Sequence, residues 1–309
     1  MQSGEIMIYT VSLNPSIDYH IWLPSLQVGR ITGATKEIKM AGGKGINVSK
    51  VLKNVGKESV ALGFIGGFTG EFIAQEMEAL DISTSFIKVE GDSRINVKMK
   101  AETETDISGV SPEIPAVAFA QLMDQIQSLH KDDYLVLAGS VPKSLNSDTY
   151  ETMMDVLANK GLQIALDASG DALKRGITKK PFFIKPNHHE LGELCGVTIA
   201  TPIEAYQHAK RIVDQGVENV IVSLAGKGAV FVNQEGAYVA QFPESKPVNS
   251  IGAGDSVVAG FLYAKSEQMQ EAEAFQFAIA CGTATALSEG FCTPTTIAKY
   301  LPTIQVAKI

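Results

Sequence analysis

The stretch Asn249-Ser250-Ile251-Gly252-Ala253-Gly254-Asp255-Ser256 runs straight into the apolar segment Val257-Val258-Ala259-Gly260-Phe261-Leu262. Two glycines one residue apart permit a tight turn that a side chain would obstruct, and they leave backbone N–H groups open. The apolar run reads as a buried helix with Asp255 on its first turn. Orphan N–H groups and the positive end of such a helix make an anion site. A carboxylate there would repel a phosphate if holding phosphate were the whole purpose. It fits a site in which the carboxylate takes a proton from an alcohol while the N–H groups hold a phosphoryl group in transfer. A helix start capped by an Asp after a glycine turn is the alternative, and the rest of the chain has to separate the two.

Composition narrows the field. The chain has 309 residues, enough for one large α/β domain or one domain with an appendage. Charged residues are 19% and hydrophobic residues 45%, a globular balance. Net charge is -8, with no basic block and no paired Cys/His zinc spacing, which argues against nucleic acid as a partner. An anionic substrate must therefore be held by a few placed cations, not by the overall field. Cys195, Cys281 and Cys292, odd in number and set in apolar text, suit free thiols in a reducing compartment. The start MQSGEIMIYTV lacks a basic leader region, and no segment reaches the length of uninterrupted apolar sequence that spans a bilayer. The expectation is a cytoplasmic protein with no membrane contact.

In chain order, Ile6 to Leu13 reads as a buried first strand ending at the turn Asn14-Pro15-Ser16, with Asp18 just beyond. IDYHIWL and ATKEIKM have strand character outside the main core, and Ala41-Gly42-Gly43-Lys44-Gly45-Ile46-Asn47 then opens a helix. SVALGFIG is a strand, Gly66 to Gly70 a glycine turn, and EFIAQEMEAL a helix. SRINVKMK alternates Ile95, Val97 and Met99 against Arg94, Asn96, Lys98 and Lys100, the period of a sheet wet on one side, and Thr105 to Ser108 can pair with it. From Ala116 strand and helix alternate through YLVLAG, LQIALDAS, PFFIKPN and NVIVSLA, the rhythm of a parallel sheet covered on both faces. Ligands in such folds sit at the carboxyl ends of the strands. The hairpin-like strands AVFVN and AYVAQF follow, and the Ala-rich text AFQFAIACGTATALSEG allows close helix packing or a flat ligand.

No G-x-G-x-x-G fingerprint follows the first strand, and Gly63 to Gly70 has the wrong spacing. No Walker A loop exists either: Gly43-Lys44 and Gly226-Lys227 are each followed by glycine, not Ser or Thr. A nicotinamide oxidoreductase and a P-loop enzyme are both poorly supported, and a phosphotransferase of another design fits. The chain resembles the ribokinase-like carbohydrate kinases of the phosphofructokinase B type. The resemblance rests on Gly42-Gly43-Lys44-Gly45-Ile46-Asn47, Lys185-Pro186-Asn187-His188-His189-Glu190, Ser223-Leu224-Ala225-Gly226-Lys227-Gly228 and Gly252-Ala253-Gly254-Asp255, in the family's order. It runs from residue 6 to about 301. It implies a single kinase domain over 1–309, with a three-layer α/β/α core, a mostly parallel sheet, and a small β-sheet lid inserted as about 17–40 and 93–109.

The same resemblance implies roles. Asp255 is the general base, and Gly252, Ala253, Gly254 and Asp255 supply the N–H groups facing the transferring phosphoryl. ATP and Mg²⁺ are the implied cofactors, Glu190 holding magnesium largely through water. Asn187 shares a helix face with Glu190, while Ser223, Ala225, Gly226 and Gly228 form the nucleotide loop and Lys185 can reach nucleotide phosphates. Asp18, Gly42, Gly43 and Asn47 cradle the sugar hydroxyls. Because the implied acceptor already carries a phosphate, cations are needed to anchor it. Lys44 and Arg94 are the natural pair, with Arg30 a third and Ser140 a hydroxyl donor. His188 and His189 read as helix-surface residues, since no other His or Cys stands at ligand spacing.

Within the branch that takes phosphosugars, the stretches Gly66 to Phe72 and Ser93 to Lys98 resemble the kinases of fructose 1-phosphate more than those of tagatose 6-phosphate, which implies fructose 1-phosphate as acceptor, its C6 hydroxyl attacking ATP. Tagatose 6-phosphate is the alternative acceptor, and a non-catalytic sugar-phosphate sensor is the alternative of another class. Ile17, Tyr19, Ile21, Ile38, Met40, Ile95, Val97 and Met99 exceed what a pocket roof needs, and the resemblance implies a homodimer through the lid. Transfer is expected to be direct, without a phosphoenzyme, and Asp255 is expected to need no large pKa rise.

Overall fold

The apolar run Tyr134-Leu135-Val136-Leu137-Ala138 is buried throughout, with Tyr134 and Val136 in one hydrophobic core and Leu135 and Leu137 in another. A strand flanked by helices on both faces has no reason to alternate with polar residues, so it reads as a continuous apolar run. The computed structural model of the chain describes residues 6–242, 247–248 and 251–309; Asn249 and Ser250 of the glycine-turn stretch lie outside the described residues.

The chain opens with β1 (Ile8–Ser12), β2 (Ser16–Trp22), β3 (Lys36–Gly42) and α1 (Lys44–Asn54). Next come β4 (Ser59–Gly66), α2 (Gly67–Ala79), β5 (Ser83–Val89), β6 (Arg94–Lys100) and β7 (Glu104–Ile107). The alternating part contains α3 (Ala116–Gln127), β8 (Tyr134–Ala138), α4 (Thr149–Leu157), β9 (Gln163–Asp167), α5 (Gly170–Ile177) and β10 (Phe183–Ile184). It continues through α6 (His188–Cys195), α7 (Pro202–Asp214) and β11 (Asn219–Ser223). The last part holds β12 (Ala229–Asn233), β13 (Ala237–Gln241), α8 (Ala253–Ser266), α9 (Glu271–Ala286), α10 (Pro294–Tyr300) and β14 (Gln305–Lys308).

Ten strands form one sheet in the order β14-β13-β12-β11-β10-β9-β8-β1-β4-β5. From β11 to β5 every pairing is parallel, and β12 to β14 extend the edge antiparallel. Residues of α3 to α7 pack in the core on one face, and residues of α1, α8, α9 and α10 in the core on the other. The result is an α/β fold of three layers. Small side chains let α8 and α9 approach closely: a Cβ on Gly260 would lie 2.8 Å from Cys281 Sγ and 3.0 Å from Ala278 Cα. The Ala-rich text therefore serves helix packing.

A second, mixed sheet has the order β3-β2-β6-β7. Its root is fixed by a third small core in which Ile17 of β2 and Ala41 of β3 pack with Ile46, Ile65, Ile73 and Met77. Lys50 of α1 donates to Ala41 O at 2.7 Å and pairs with Glu76 of α2 at 2.5 Å, while Glu76 also accepts from Ala41 N–H at 2.7 Å. Cross-strand register puts Asp18, Asn96 and Met40 on one face, and Tyr19, Val97 and Ile107 on the other. Ile38 and Met40 thus stand on the face opposite to Ile17, Tyr19, Ile21, Ile95, Val97 and Met99, so the apolar set named from sequence divides between two faces.

Two further readings differ from the structure. The glycines at 67–70 do not precede the helix but lie inside α2, because a Cβ at Gly70 would meet Ile65 at 3.0–3.1 Å and its absence lets the first turn press on β4. The closing strand β14 gave no signal, since only four residues pair with β13 and most of them face solvent.

Candidate active site

The carboxyl ends of β1, β8 and β9, the start of α1 and α8, and one face of the small sheet enclose a cavity of about 480 Å³. Among the residues singled out from sequence, Asp18, Gly43, Lys44, Asn47, Arg94, Ser140, Lys185, Asn187, Glu190, Gly252, Gly254 and Asp255 all line it.

Gly252 caps α8 in the left-handed conformation, φ 76°, and a Cβ there would lie 2.4 Å from the Phe291 ring. Both constraints demand glycine. The turn leaves the first N–H groups of α8 without helical partners at the cavity wall. Asp255, 6% exposed, accepts a 2.7 Å hydrogen bond from Asn47 Nδ2 on its Oδ2. Burial, reinforced by the nearby Asp167 charge, pushes the Asp255 carboxyl up to about 6, against the opposing pull of Lys44, Asn47 and Lys185. The expectation that it would rise little is thus not met: a carboxylate sealed under a helix start beside a second carboxylate loses more hydration than its donors return.

That second carboxylate, at the end of β9, escaped the sequence reading. Asp167 is 2% exposed and receives Lys44 Nζ at 3.2 Å, with Lys185 Nζ 3.9 Å away. Burial opposes its charge, but Lys44 and Lys185 outweigh burial and hold its carboxyl below the ordinary range. Conversely, Lys44 is desolvated yet raised, because Asp167, Asp255 and Glu190 all favour its charged form. Lys185 reaches the α8 turn, where a Cβ on Gly254 would lie 3.1 Å from its Nζ. Two cations and two carboxylates thus interleave at the start of α8. Nothing in the text LQIALDAS marks its Asp; the one available signal was its place at a strand's carboxyl end.

On the other wall, a Cβ on Gly42 would meet the Asp18 carboxyl group at 2.5–2.7 Å, so only glycine lets β3 back that side chain. Arg94 is half-buried, its Nε has no partner among the described residues, and burial lowers its pKa in spite of Asp18. Asn96 and Lys98 extend the same face of β6 along the cavity. Asn14 joins the two walls, donating to Ser140 Oγ at 3.2 Å and accepting from Ser111 Oγ at 2.8 Å.

Asn187 caps α6 in a capping box: its side chain accepts from His189 and Glu190 N–H, and Glu190 Oε2 accepts from Asn187 N–H at 2.8 Å. Glu190 keeps Oε1 for other use. Ser223, Ala225, Gly226 and Gly228 do not line this cavity; Ala225–Lys227 is a 3₁₀ turn between β11 and β12. Lys227 lines a separate recess with His188 and His189, whose rings lie 3.9 Å apart. Arg30 is exposed on the loop between β2 and β3, and neither it nor Ala253 or Gly42 is among the residues that line the cavity. The described cysteines are free, Cys281 and Cys292 being buried. No described helix is long and apolar enough to cross a membrane.

A three-layer α/β protein with a small sheet over the strand ends, and a buried carboxylate in the first turn of a helix that opens on a glycine turn, has the build of a small-molecule kinase. The sequence profile of the pfkB family carbohydrate kinases matches residues 24–298, and the chain belongs to that family. It is accordingly an ATP-dependent phosphotransferase. A 1-phosphofructokinase of Bacillus subtilis is 46% identical over 303 residues, covering 98% of this chain and all of the relative. A tagatose-6-phosphate kinase of Staphylococcus epidermidis is 32% identical over 288 residues, covering 92% of this chain and 93% of the relative. The crystal structure of phosphofructokinase-2 from Escherichia coli in complex with fructose-6-phosphate superposes with a TM-score of 0.90 at 25% identity, covering 96% of this chain and 98% of the other.

Proposed function

We propose that the protein transfers the γ-phosphoryl group of ATP to the C6 hydroxyl of fructose 1-phosphate, giving fructose 1,6-bisphosphate. The observation that carries this choice is the 46% identity with a 1-phosphofructokinase over the whole of that relative, against 32% with a tagatose-6-phosphate kinase. Tagatose 6-phosphate remains the second reading on the strength of that lower identity. The buried base and paired cations support turnover over a purely sensing role.

In this reading Asp255 accepts the proton of the attacking hydroxyl on Oδ1, because Asn47 already occupies Oδ2. The N–H groups of residues 252–255 and the ammonium of Lys185 face the phosphoryl in flight. Transfer is direct, since no described Cys or His lines the cavity to serve as a nucleophile. Asp18 takes sugar hydroxyls with Gly43 and Asn47 beside it, and Arg94, Lys44 and Ser140 take the phosphate already present. Ser223 to Gly228 borders the nucleotide, whose phosphates reach Lys185 and Asn187. Magnesium fits the donor set: Glu190 Oε1 and the unpartnered, buried Asp167 Oδ2 are hard oxygen donors. A magnesium ion bound there would be held by few protein oxygens, with water and phosphate completing its shell. When bound, it neutralises charge on the nucleotide phosphates. The small sheet acts as the lid of a single kinase domain, and its apolar face, with Ile95 37% and Ile107 53% exposed, pairs two copies into a homodimer. Free thiols fit residence in the cytoplasm.

Steady-state comparison of kcat/KM for fructose 1-phosphate, fructose 6-phosphate and tagatose 6-phosphate tests the choice. A clear preference for fructose 1-phosphate is expected, and a preference for either other acceptor overturns it while leaving the kinase assignment in place.

A further inference from the structure

Asn96 reads in the sequence as one polar step in an alternating strand, yet it makes more side-chain hydrogen bonds in the cavity wall than Asp18 does. Its Nδ2 donates to Asp18 Oδ1 at 2.9 Å and to Ser16 Oγ at 3.0 Å. Ser16 Oγ in turn donates to the same Asp18 Oδ1 at 2.8 Å. Its Oδ1 accepts from Gly109 N–H at 3.3 Å. A carboxylate only accepts and a backbone N–H only donates, so the chemistry of the neighbours fixes which way the amide points. Both bonds to Asp18 fall on Oδ1, leaving Oδ2 to a ligand. Behind the carboxyl group, β3 is so close that even a Cβ on Gly42 would lie within 2.5–2.7 Å of it.

We infer that Asn96 is a positioning residue that sets the Asp18 carboxylate for the acceptor before the acceptor arrives. The inference rests on the reading of Asp18 as the ligand of sugar hydroxyls. Three strands act together, in that β2 carries the carboxylate, β3 backs it, and β6 supplies the amide that stops it turning. An asparagine suits the place because it offers two donors to β2 and one acceptor to the chain beyond β7. Aspartate has the same shape and keeps the acceptor, but it has no donor for Asp18. Holding an anionic ligand group in one rotamer by neighbouring hydrogen bonds lowers the ordering cost of binding.

The test uses the full-length enzyme with fructose 1-phosphate, or whichever of the three acceptors turns over fastest. Asn96→Ala removes the donors, and the acceptor KM should rise about 10-fold. Asn96→Asp keeps the shape but sets a second carboxylate against Asp18, and the rise should be larger, about 100-fold. In both variants nucleotide KM should change far less than acceptor KM. If Asn96 matters only as packing, the order reverses, because the isosteric Asp disturbs packing less than Ala. That reversed order, or equal rises, overturns the inference. Should Asn96→Asp fail to fold, Asn96→Leu replaces it: similar volume with no donor should still raise acceptor KM, and a wild-type KM overturns the inference. Asp18→Ala is measured alongside. An unchanged acceptor KM in that variant would mean Asp18 is no hydroxyl ligand, which sinks the underlying reading instead.

Discussion

At the scale of single residues, the proposed role of Asp255 as general base and its burial make two separable predictions. Asp255→Asn keeps the shape and the contact to Asn47 but removes the base, so kcat should fall about 10²–10⁴-fold with acceptor KM changed far less. Steady-state kinetics of the folded variant check this; retention of more than about a tenth of kcat, with chemistry limiting, would mean another group takes the proton. The second prediction concerns stability. With its folded pKa raised to about 6, the carboxyl keeps its proton in the native chain at pH values where the unfolded chain has lost it. The native state is therefore penalised progressively as pH rises from the ordinary carboxylate range through about 6, and the penalty is complete above that. Asp255→Asn should melt at a higher temperature than wild type near pH 8, with the gap closing toward pH 4. Thermal melts across that range measure it, and a constant gap would refute the raised value. Arg94→Ala should have a different signature, a raised KM for the phosphosugar with kcat less affected, because the phosphate proposed to bind it is not the group in flight.

At the scale of elements, the join between α1, α2 and β3 is the point of greatest leverage outside the cavity. Glu76 holds both Lys50 and the Ala41 N–H, and Lys50 has only 7% of its side chain exposed. Glu76→Ala leaves a buried ammonium with the Ala41 carbonyl alone, and should cost about 3 kcal/mol in denaturant unfolding. A loss under about 1 kcal/mol would show that water reaches Lys50 freely. The elements themselves were largely legible. Gly252-Ala253-Gly254-Asp255 and Gly42-Gly43-Lys44 announced helix starts because backbone conformation restricts which residues can stand there. YLVLAG and NVIVSLA announced buried strands because both faces are apolar. Asp167 and Asn96 were not legible as site residues, since each is a single polar residue on a strand whose partners come from distant parts of the chain. Arg30 carries the right charge, but sequence gives no distance, and Arg30 is exposed and not among the residues that line the cavity.

At the scale of the whole molecule, the exposed apolar face of the small sheet predicts association. Sedimentation at micromolar protein without ligands should give a species of twice the 33.0 kDa chain mass, and a single species at the chain mass would count against the dimer. The small sheet has one more property. Its central pairing, β2 beside β6, is parallel, so the chain must leave through β3, α1, β4, α2 and β5 before it can return. The bond between Asp18 and Asn96 closes a loop of 78 residues, and that between Asn47 and Asp255 one of 208. Contacts of such sequence separation carry the loop-closure entropy of everything between them and form late in folding. Helical signal should therefore return early after dilution from denaturant, while catalytic activity lags behind it. A chain caught during that lag would already have its helices and would still be unable to hold a sugar.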